Sequence, residues 1–308
     1  AGALSRAPQT VVLHSRDGRR DLVMDGRTIY FGTGGTAVNT LDLESGDITQ
    51  LTDLDPALGE PGGLSKNPAR EELYYTQNSV LYALDLATLE TRPLYTRPEG
   101  YRGGSANATA DGKYICAGYN EDLSSRFMMD LGHGYVGFRE MWEAHPHSII
   151  VKIPVDGGEP ETVFEEDYWL GHFNASPKLP NIVTFCHEGP WHMVNRIWTI
   201  HLSSLDTTLI HRRSVYREIA GHEFFSRDGE TIWFDLQIPR GETFYLAGVS
   251  LETGKEKRYA MKRDEWSIHF NISPDQTMFA GDGGDEGQVA KAKDGRWLYL
   301  FTPEGDSL

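Results

Sequence analysis

The sequence predicts an all-β protein of the β-propeller class, and three observations support this. A β-rich unit recurs six times at a spacing of roughly 40 to 50 residues, as the four-stranded blades of a propeller do. Each copy carries turn sequences such as Arg-Asp-Gly before its first clear strand and Thr-Gly or a similar turn later on. Helical periodicity is weak almost everywhere.

The six units can be placed in chain order. They are Arg27–Thr52, Glu72–Tyr95, Asp111–Phe164, Asn181–His211, Asp228–Tyr259 and Asp275–Phe301. The third unit carries an insertion at about residues 121–147, in which Val136–Ala144 is the one segment that predicts a helix.

The closure of the ring is less easily predicted. Residues 1–26 offer one good strand, roughly Gln9–His14, and the sequence stops soon after Phe301. An open array would leave apolar sheet faces in water. We therefore expect a single propeller domain over residues 1–308, either with six blades or with a seventh, C-terminal blade that is absent or incomplete.

Charge and composition limit the classes of partner. The 308 residues include 29 basic and 45 acidic side chains, which give a formal net charge of −16 and argue against nucleic-acid or anionic-membrane binding. No apolar run of about 18 residues predicts a membrane span.

Cys116 and Cys186 lie in apolar strand-like runs and are predicted to be reduced core thiols. The chain shows no signal-peptide pattern, and the cytoplasm is favoured over the periplasm. The oligomeric state is not predicted.

The segment Trp169–Trp198 is unusually rich in polar side chains for a strand-forming region. It contains His172, His187, Glu188, His192 and Arg196 among aromatic residues and prolines. Buried polar groups cost free energy unless each finds a partner. The segment therefore predicts a polar site built on β-strands.

A histidine also recurs at the start of three successive blades. It appears as His172 in Gly171–Asn174, as His222 in Gly221–Phe224 and as His269 in Ile268–Asn271. If the blades superpose, these three imidazoles converge near one mouth of the central channel. The alternative is that each histidine caps its strand and bonds a neighbouring carbonyl group.

Four sequence motifs together resemble those of a known family. They are Trp-Leu-Gly-His (Trp169–His172), the segment Phe185–Trp198, Gly-His-Glu-Phe-Phe (Gly221–Phe225) and the segment Ser267–Gly283. The chain resembles the oligogalacturonate lyases, polysaccharide lyases built on a seven-bladed β-propeller, over roughly Gly103–Phe301. The resemblance implies β-elimination: a base removes the C5 proton of a uronate, a cation neutralises its carboxylate, and a 4,5-unsaturated sugar is released.

The resemblance also implies roles for individual residues. His222 matches the family's catalytic base, and Arg196 matches an arginine whose planar fork neutralises the substrate carboxylate, although a salt bridge with Glu188 is the alternative. His269 matches a ligand of a manganese-like metal. The family's remaining ligands come from a C-terminal Gln-x-x-His-x-His pattern, and no histidine follows His269. The predicted cofactor is therefore Mn²⁺ or another divalent cation with an incomplete ligand set.

An acidic oligosaccharide is the predicted partner. Its predicted contacts are His172, His187, Glu188, His192, Trp191 and His147, the last in an insertion loop that covers the substrate. The acidic run Gly281–Glu286 is predicted to be a solvated turn. Two alternatives stay open: a lyase that acts on another uronate linkage, such as glucuronate joined to rhamnose, and a non-catalytic propeller that binds a protein.

Overall fold

The chain folds into six antiparallel sheets that follow one another along the sequence. The computed structural model describes residues 22–33, 37–132, 134–284 and 289–308. In each sheet, strands that are consecutive in sequence are also hydrogen-bonded neighbours. The all-β propeller predicted from the repeats is thus confirmed. The predicted strand Gln9–His14 lies outside the described residues.

The first three sheets contain four strands each. Sheet one is formed by β1 (Leu22–Asp25), β2 (Thr28–Thr33), β3 (Ala37–Asp42) and β4 (Ile48–Gln50). Sheet two is formed by β5 (Gly62–Lys66), β6 (Glu72–Gln77), β7 (Val80–Asp85) and β8 (Thr91–Thr96). Sheet three is formed by β9 (Tyr101–Ala108), β10 (Tyr114–Glu121), β11 (His147–Pro154) and β12 (Glu161–Asp167).

The last three sheets follow the same plan. Sheet four is formed by β13 (Leu170–Ala175), β14 (Ile182–His187), β15 (Ile197–His201) and β16 (Thr207–Leu209). Sheet five is formed by β17 (Ile219–Phe225), β18 (Thr231–Gln237), β19 (Phe244–Ser250) and β20 (Glu256–Met261). Sheet six has three strands in the described ranges: β21 (Phe270–Ile272), β22 (Phe279–Gly281) and β23 (Tyr299–Phe301).

The one α-helix of the described residues lies where the sequence predicts it. Helix α1 (Phe138–Ala144) is part of the connection between β10 and β11 in sheet three. Single turns of 3-10 helix occur at Pro56–Leu58 and Arg263–Glu265. No helix in the described part of the chain is long and apolar enough to cross a membrane.

The first strand of each sheet is the innermost. Strand β1 lies against β5, β5 against β9, β9 against β13, and β17 against β21. The repeat units predicted from the sequence begin one strand later, at the second strand of each sheet, because the turn that makes them recognisable precedes that strand. The described ranges contain six sheets and no seventh.

Apolar side chains fill the space between neighbouring sheets. Strand residues alternate between two faces, so a sheet can contribute one row of side chains to each neighbouring sheet. Between sheets two and three, Tyr74 and Leu81 pack with Ile115 and Ile153. Cys116 packs with residues of sheet four, and both cysteines are buried and free, as predicted.

A buried histidine joins the end of sheet four to sheet five. His211 follows β16, and its Nε2 lies 2.7 Å from Glu218 Oε1 while its Nδ1 lies 2.6 Å from Glu256 Oε2. Burial disfavours the charged imidazole, but the Glu256 and Glu218 carboxylates outweigh burial and raise the pKa of His211. The protonated imidazole thus stabilises the connection between the two sheets.

We expect His211→Gln to lower the free energy of unfolding by about 3 kcal/mol at pH 6, because it leaves two carboxylates without their cation. The folded-state pKa lies above the unfolded value, which is 6.5. The stabilisation is therefore complete below that value and is lost as the pH rises through the folded pKa. Urea unfolding at pH 6 and at pH 10 measures both effects.

His201→Gln is the matched control, because among the described residues His201 Nδ1 bonds Ser203 and Ser204 of the adjacent turn and no carboxylate. Its effect on unfolding should be small at both pH values. An equal destabilisation by His211→Gln at pH 6 and pH 10 would contradict the charged pairing.

Candidate functional site

Two histidines of the inner strands occupy β-bulges. In β13, Gly171 pairs with Cys186 and Asn174 with Thr184, so two residues oppose one. In β17, Gly221 pairs with Asp235 and Phe224 with Trp233 in the same way. The first residue of each bulge has a positive φ, 52° at His172 and 53° at His222. Such conformations favour glycine, and at other residues they concentrate at functional sites.

The bulges bring the recurrent histidines together. The ring centroids of His172 and His222 lie 6.3 Å apart, and those of His222 and His269 lie 4.7 Å apart. The predicted convergence of the three imidazoles is therefore seen in the structure. His222 stands in the middle of the row.

Two of the imidazoles are held by carboxylates from neighbouring strands. Nδ1 of His222 lies 2.7 Å from Oδ1 of Asp235 in β18, whose side chain is only 2% exposed. Nδ1 of His269 lies 2.7 Å from Oδ2 of Asp282, which also accepts hydrogen bonds from the backbone of Ile268 and His269 through Oδ1. Each carboxylate fixes the ring orientation and directs the N–H to Nδ1, so Nε2 remains as the acceptor.

The third imidazole, whose side chain is 37% exposed, contacts a cluster of charges that are themselves mostly buried. His172 lies 3.4 Å from Glu188 through Nε2 and 3.4 Å from Glu223 through Nδ1. Burial lowers the pKa of His172, but the two carboxylates outweigh burial, and the pKa is raised. Burial alone would raise the pKa values of Glu188 and Glu223. The neighbouring cations Arg196 and His172 outweigh burial, so both pKa values are lowered. The cluster is thus held together as ion pairs.

Arg196 completes this cluster, and its fork is not available for the bidentate substrate contact predicted from the sequence. Nη1 donates to Glu188 at 2.8 Å, and Nη2 contacts the Cys186 sulfur at 3.5 Å. The alternative of a Glu188 salt bridge is the one observed. The buried Nε has no hydrogen-bond partner among the described residues. A Cβ at Gly221 would lie 3.9 Å from that Nε, so the Nε lies directly beside the residue that precedes His222.

A cleft with a volume of about 410 Å³ opens at His222. Its walls include Arg196, His269 and Asp282, and, from other loops, Trp191 and Arg240. The volume falls in the range of about 300 to 1,000 Å³ that is typical of small-molecule sites. Helix α1 and the segment before it support one wall, because Tyr135 and Phe138 pack edge-on or tilted against Trp191.

Of the six predicted substrate contacts, Trp191 lines this cleft and the other five do not. His172 and Glu188 belong to the cluster with Arg196, and the remaining three lie elsewhere. His187 follows Cys186 in β14 and therefore faces the opposite side, where it stacks on Tyr168 and its Nε2 lies 2.9 Å from Glu166. His147 begins β11 and bonds Asp167 at the outer edge of sheet three. His192 lies in the loop after β14, where its carbonyl accepts from Arg213.

The sequence analysis missed three residues of the site, and they differ in the signal that the sequence carries for them. Asp235 is the one charged residue in the strand Thr231–Gln237, and that isolation is a usable signal. Asp282 falls in the acidic run that predicted a solvated turn, yet its side chain is mostly buried against His269. Asp285 and Glu286 of that run lie outside the described residues. Arg240 stands in a turn without any motif.

Comparison with known proteins agrees with this architecture. A family model described as oligogalacturonate lyase matches residues 5–299. The chain belongs to the oligogalacturonate lyase family. It is 27% identical to an oligogalacturonide lyase of Pectobacterium atrosepticum and 28% identical to an oligogalacturonate lyase of Dickeya dadantii, in each case over 90% of this chain and 72% of the relative.

Solved structures of oligogalacturonate lyases share the fold. A structure of an oligogalacturonate lyase in complex with manganese superposes with a TM-score of 0.75 at 24% identity and covers 90% of this chain and 71% of that one. An oligogalacturonate lyase from Vibrio parahaemolyticus superposes with a TM-score of 0.77 at 23% identity and covers 94% and 75%.

The described residues do not complete a manganese site of the kind the oligogalacturonate lyase resemblance implies. His269 suits a ligand because Asp282 holds its Nδ1, but His222 is the only other imidazole beside it, and Mn²⁺ favours six donors rich in oxygen. His172, Cys186 and Glu223 also lie close together. There, burial raises the pKa of the Cys186 thiol well above its usual value, and the Arg196 guanidinium occupies the space beside it.

The buried cluster yields a direct test. Glu223→Gln removes one of the two carboxylates that face His172, and we expect the pKa of His172 to fall because burial is then opposed by Glu188 alone. An NMR titration of the His172 ring proton measures it. Glu166→Gln, beside His187, is the matched control and should leave the His172 titration unchanged. An unaltered His172 pKa in Glu223→Gln would refute the ion-pair cluster.

Proposed function

We propose that this chain is a carbon–oxygen lyase that cleaves oligogalacturonides by β-elimination, with His222 as the general base. The observation that carries the proposal is the pair formed by His222 and the buried Asp235 at the wall of the cleft. A base held in one tautomer by a buried carboxylate is the arrangement that proton abstraction requires. The names of the relatives supply the substrate class.

The reaction can be followed atom by atom. Nε2 of His222 takes the C5 proton of a uronate, and the electrons of that bond spread onto the adjacent carboxylate. They then form the double bond between C4 and C5 as the bond from C4 to the glycosidic oxygen breaks, and that oxygen takes up the proton that His222 accepted, directly or by exchange through solvent. The products are a 4,5-unsaturated uronate and a shortened oligomer, and no water is consumed.

The developing charge on the carboxylate needs a cation or a hydrogen-bond donor. We assign this to Arg196, which lines the cleft together with Gly221 and His222 and whose Nε–H has no hydrogen-bond partner among the described residues. The other nitrogens of Arg196 are fixed by Glu188 and Cys186, so the donor needs no reorganisation during the reaction. A bound divalent cation would add charge neutralisation near His269, but its donor set is incomplete in the described residues and no step is assigned to it.

His222→Ala should suppress formation of the unsaturated product, because it removes the imidazole that the buried Asp235 orients. We expect a fall in kcat of about 10³-fold or more, consistent with loss of a positioned base. Ultraviolet absorbance of the product from digalacturonate and trigalacturonate, with and without added Mn²⁺, measures it. His201→Ala is a control for loss of an imidazole outside the cleft.

The same assay separates the alternatives. Absence of product from oligogalacturonides but formation of product from a glucuronate–rhamnose oligomer would move the assignment to another uronate linkage. Absence of product from every uronate oligomer, with wild-type protein and Mn²⁺ present, would leave the lyase proposal without support and favour a binding module.

Asp235→Asn tests the positioning of the base. The amide can donate to Nδ1 and thereby stabilises the wrong tautomer, so we expect kcat to fall about 10³-fold while the KM changes little. Asp228→Asn, in the turn before β18, is the matched control, since Asp228 contacts Ser226 and Gln276 and does not line the cleft. Equal kcat values for the two variants would show that Asp235 does not orient His222.

A further inference from the structure

Arg240 differs from the other arginines of the cleft in its electrostatic environment. Arg196 is paired with Glu188, and Arg296 lies 3.6 Å from Asp282. Among the ion pairs of the described residues, none includes Arg240, although the chain carries 45 acidic side chains against 29 basic ones. A half-buried guanidinium that lines a cleft without a carboxylate partner is suited to receive an anionic group from a ligand.

The guanidinium stands beside an aromatic face. Its Cζ lies 5.9 Å from the centroid of the Trp191 ring. Trp191 comes from the loop after β14 and Arg240 from the turn after β18, so two sheets contribute to one wall. The ring offers a flat apolar surface to a sugar, and the guanidinium beside it offers two parallel N–H groups to a carboxylate.

Both side chains rise from anchored backbone. The N–H of Arg240 donates to the Arg217 carbonyl at 2.7 Å, and the N–H of Gly241 donates to Gln237 Oε1 at 2.9 Å. Tyr135 supports Trp191 edge-on at 5.4 Å from ring to ring. Little ordering is therefore required when a ligand binds, which favours affinity.

We infer that Arg240 and Trp191 form a subsite that binds the carboxylate and the ring of a second uronate, next to the uronate that reacts at His222. The inference rests on the proposed function. The reacting uronate must place its own carboxylate beside the base, because C5 carries both the carboxylate and the proton. Arg196 is assigned to that carboxylate, so Arg240, which lines the same cleft from the turn after β18, is assigned to the neighbouring sugar unit.

The subsite has a consequence for substrate choice. The net charge of −16 repels a polyanionic ligand. The Arg240 guanidinium, which forms no ion pair among the described residues, offsets part of this repulsion where the second uronate binds. The chain should therefore require at least two adjacent uronates with free carboxylates. Esterification of the second carboxylate should remove the contact with Arg240.

Equilibrium binding of digalacturonate, measured by calorimetry on full-length His222→Ala protein so that the ligand stays intact, tests the subsite. In this background Arg240→Gln should weaken binding about tenfold to a hundredfold, as expected for loss of a charge-assisted contact. Arg240→Lys should weaken it less, because it keeps the charge and loses the fork. Arg27→Gln, which removes the same charge from an exposed position on sheet one, is the matched control and should change binding less than about twofold.

A digalacturonate methyl-esterified on its second uronate completes the test as a double-mutant cycle. Esterification should weaken binding to protein with Arg240 as much as Arg240→Gln does, and it should have no further effect on Arg240→Gln. Trp191→Leu should weaken binding of both ligands equally, because the ring contacts the sugar and not the ester.

The outcomes separate this inference from the proposed function. Equal binding by Arg240→Gln and Arg27→Gln, or additive losses from esterification and Arg240→Gln, overturns the subsite even if the wild type cleaves oligogalacturonides. Binding that depends on Arg240 in a wild-type protein that forms no unsaturated product keeps the subsite and overturns the lyase proposal. Absence of binding by every form of the protein overturns both.

Discussion

The β-bulge in the inner strands β13 and β17 is the constraint on which the arrangement of the site depends. In both strands a non-glycine residue adopts a positive φ, which costs of order 1 to 3 kcal/mol and persists only where the surroundings enforce it. Strand β5 has the same bulge, between Gly62 and Ser65, and there the residue with positive φ is Gly63. The same bulged backbone conformation thus occurs in β5, β13 and β17. In β13 and β17 the residue with positive φ is a histidine, and the bulges bring the two imidazoles close together.

The second residue of the bulge shows what the site adds to the fold. In β5 and β13 it is Leu64 and Phe173, both of which pack into the apolar core, whereas in β17 it is Glu223. A carboxylate at a core position is expensive unless it is paired. Its nearest cation is His172, whose Nδ1 lies 3.4 Å from Glu223 Oε1, so the bulge of sheet four supplies a cation to the bulge of sheet five. The glycine before the bulge of β13 keeps space for the cluster, since a Cβ at Gly171 would lie 2.7 Å from Glu188 Oε1.

The sheets and the row of histidines could be predicted because their signals are local: turn residues at regular spacing and a histidine at the same place in three units. The hydrogen-bond partners of these histidines could not be predicted, because they depend on the register between neighbouring strands. Asp235 reaches His222 only because β17 and β18 pair as they do, and His187 leaves the cleft because it is one residue away from Cys186. The fork of Arg196 was predicted to bind substrate, yet three-dimensional proximity to Glu188 engages it.

The central claim is that the bulge presents the His222 imidazole as the base, and His222→Gly tests it most directly. Glycine adopts a positive φ without strain, so the free energy of unfolding of His222→Gly should be about 1 kcal/mol higher than that of His222→Ala. It should form no unsaturated product from oligogalacturonides, and added imidazole, which can enter the space left by the side chain, should restore product formation in a saturable manner. Product formation by His222→Gly at the wild-type rate without imidazole would contradict the account.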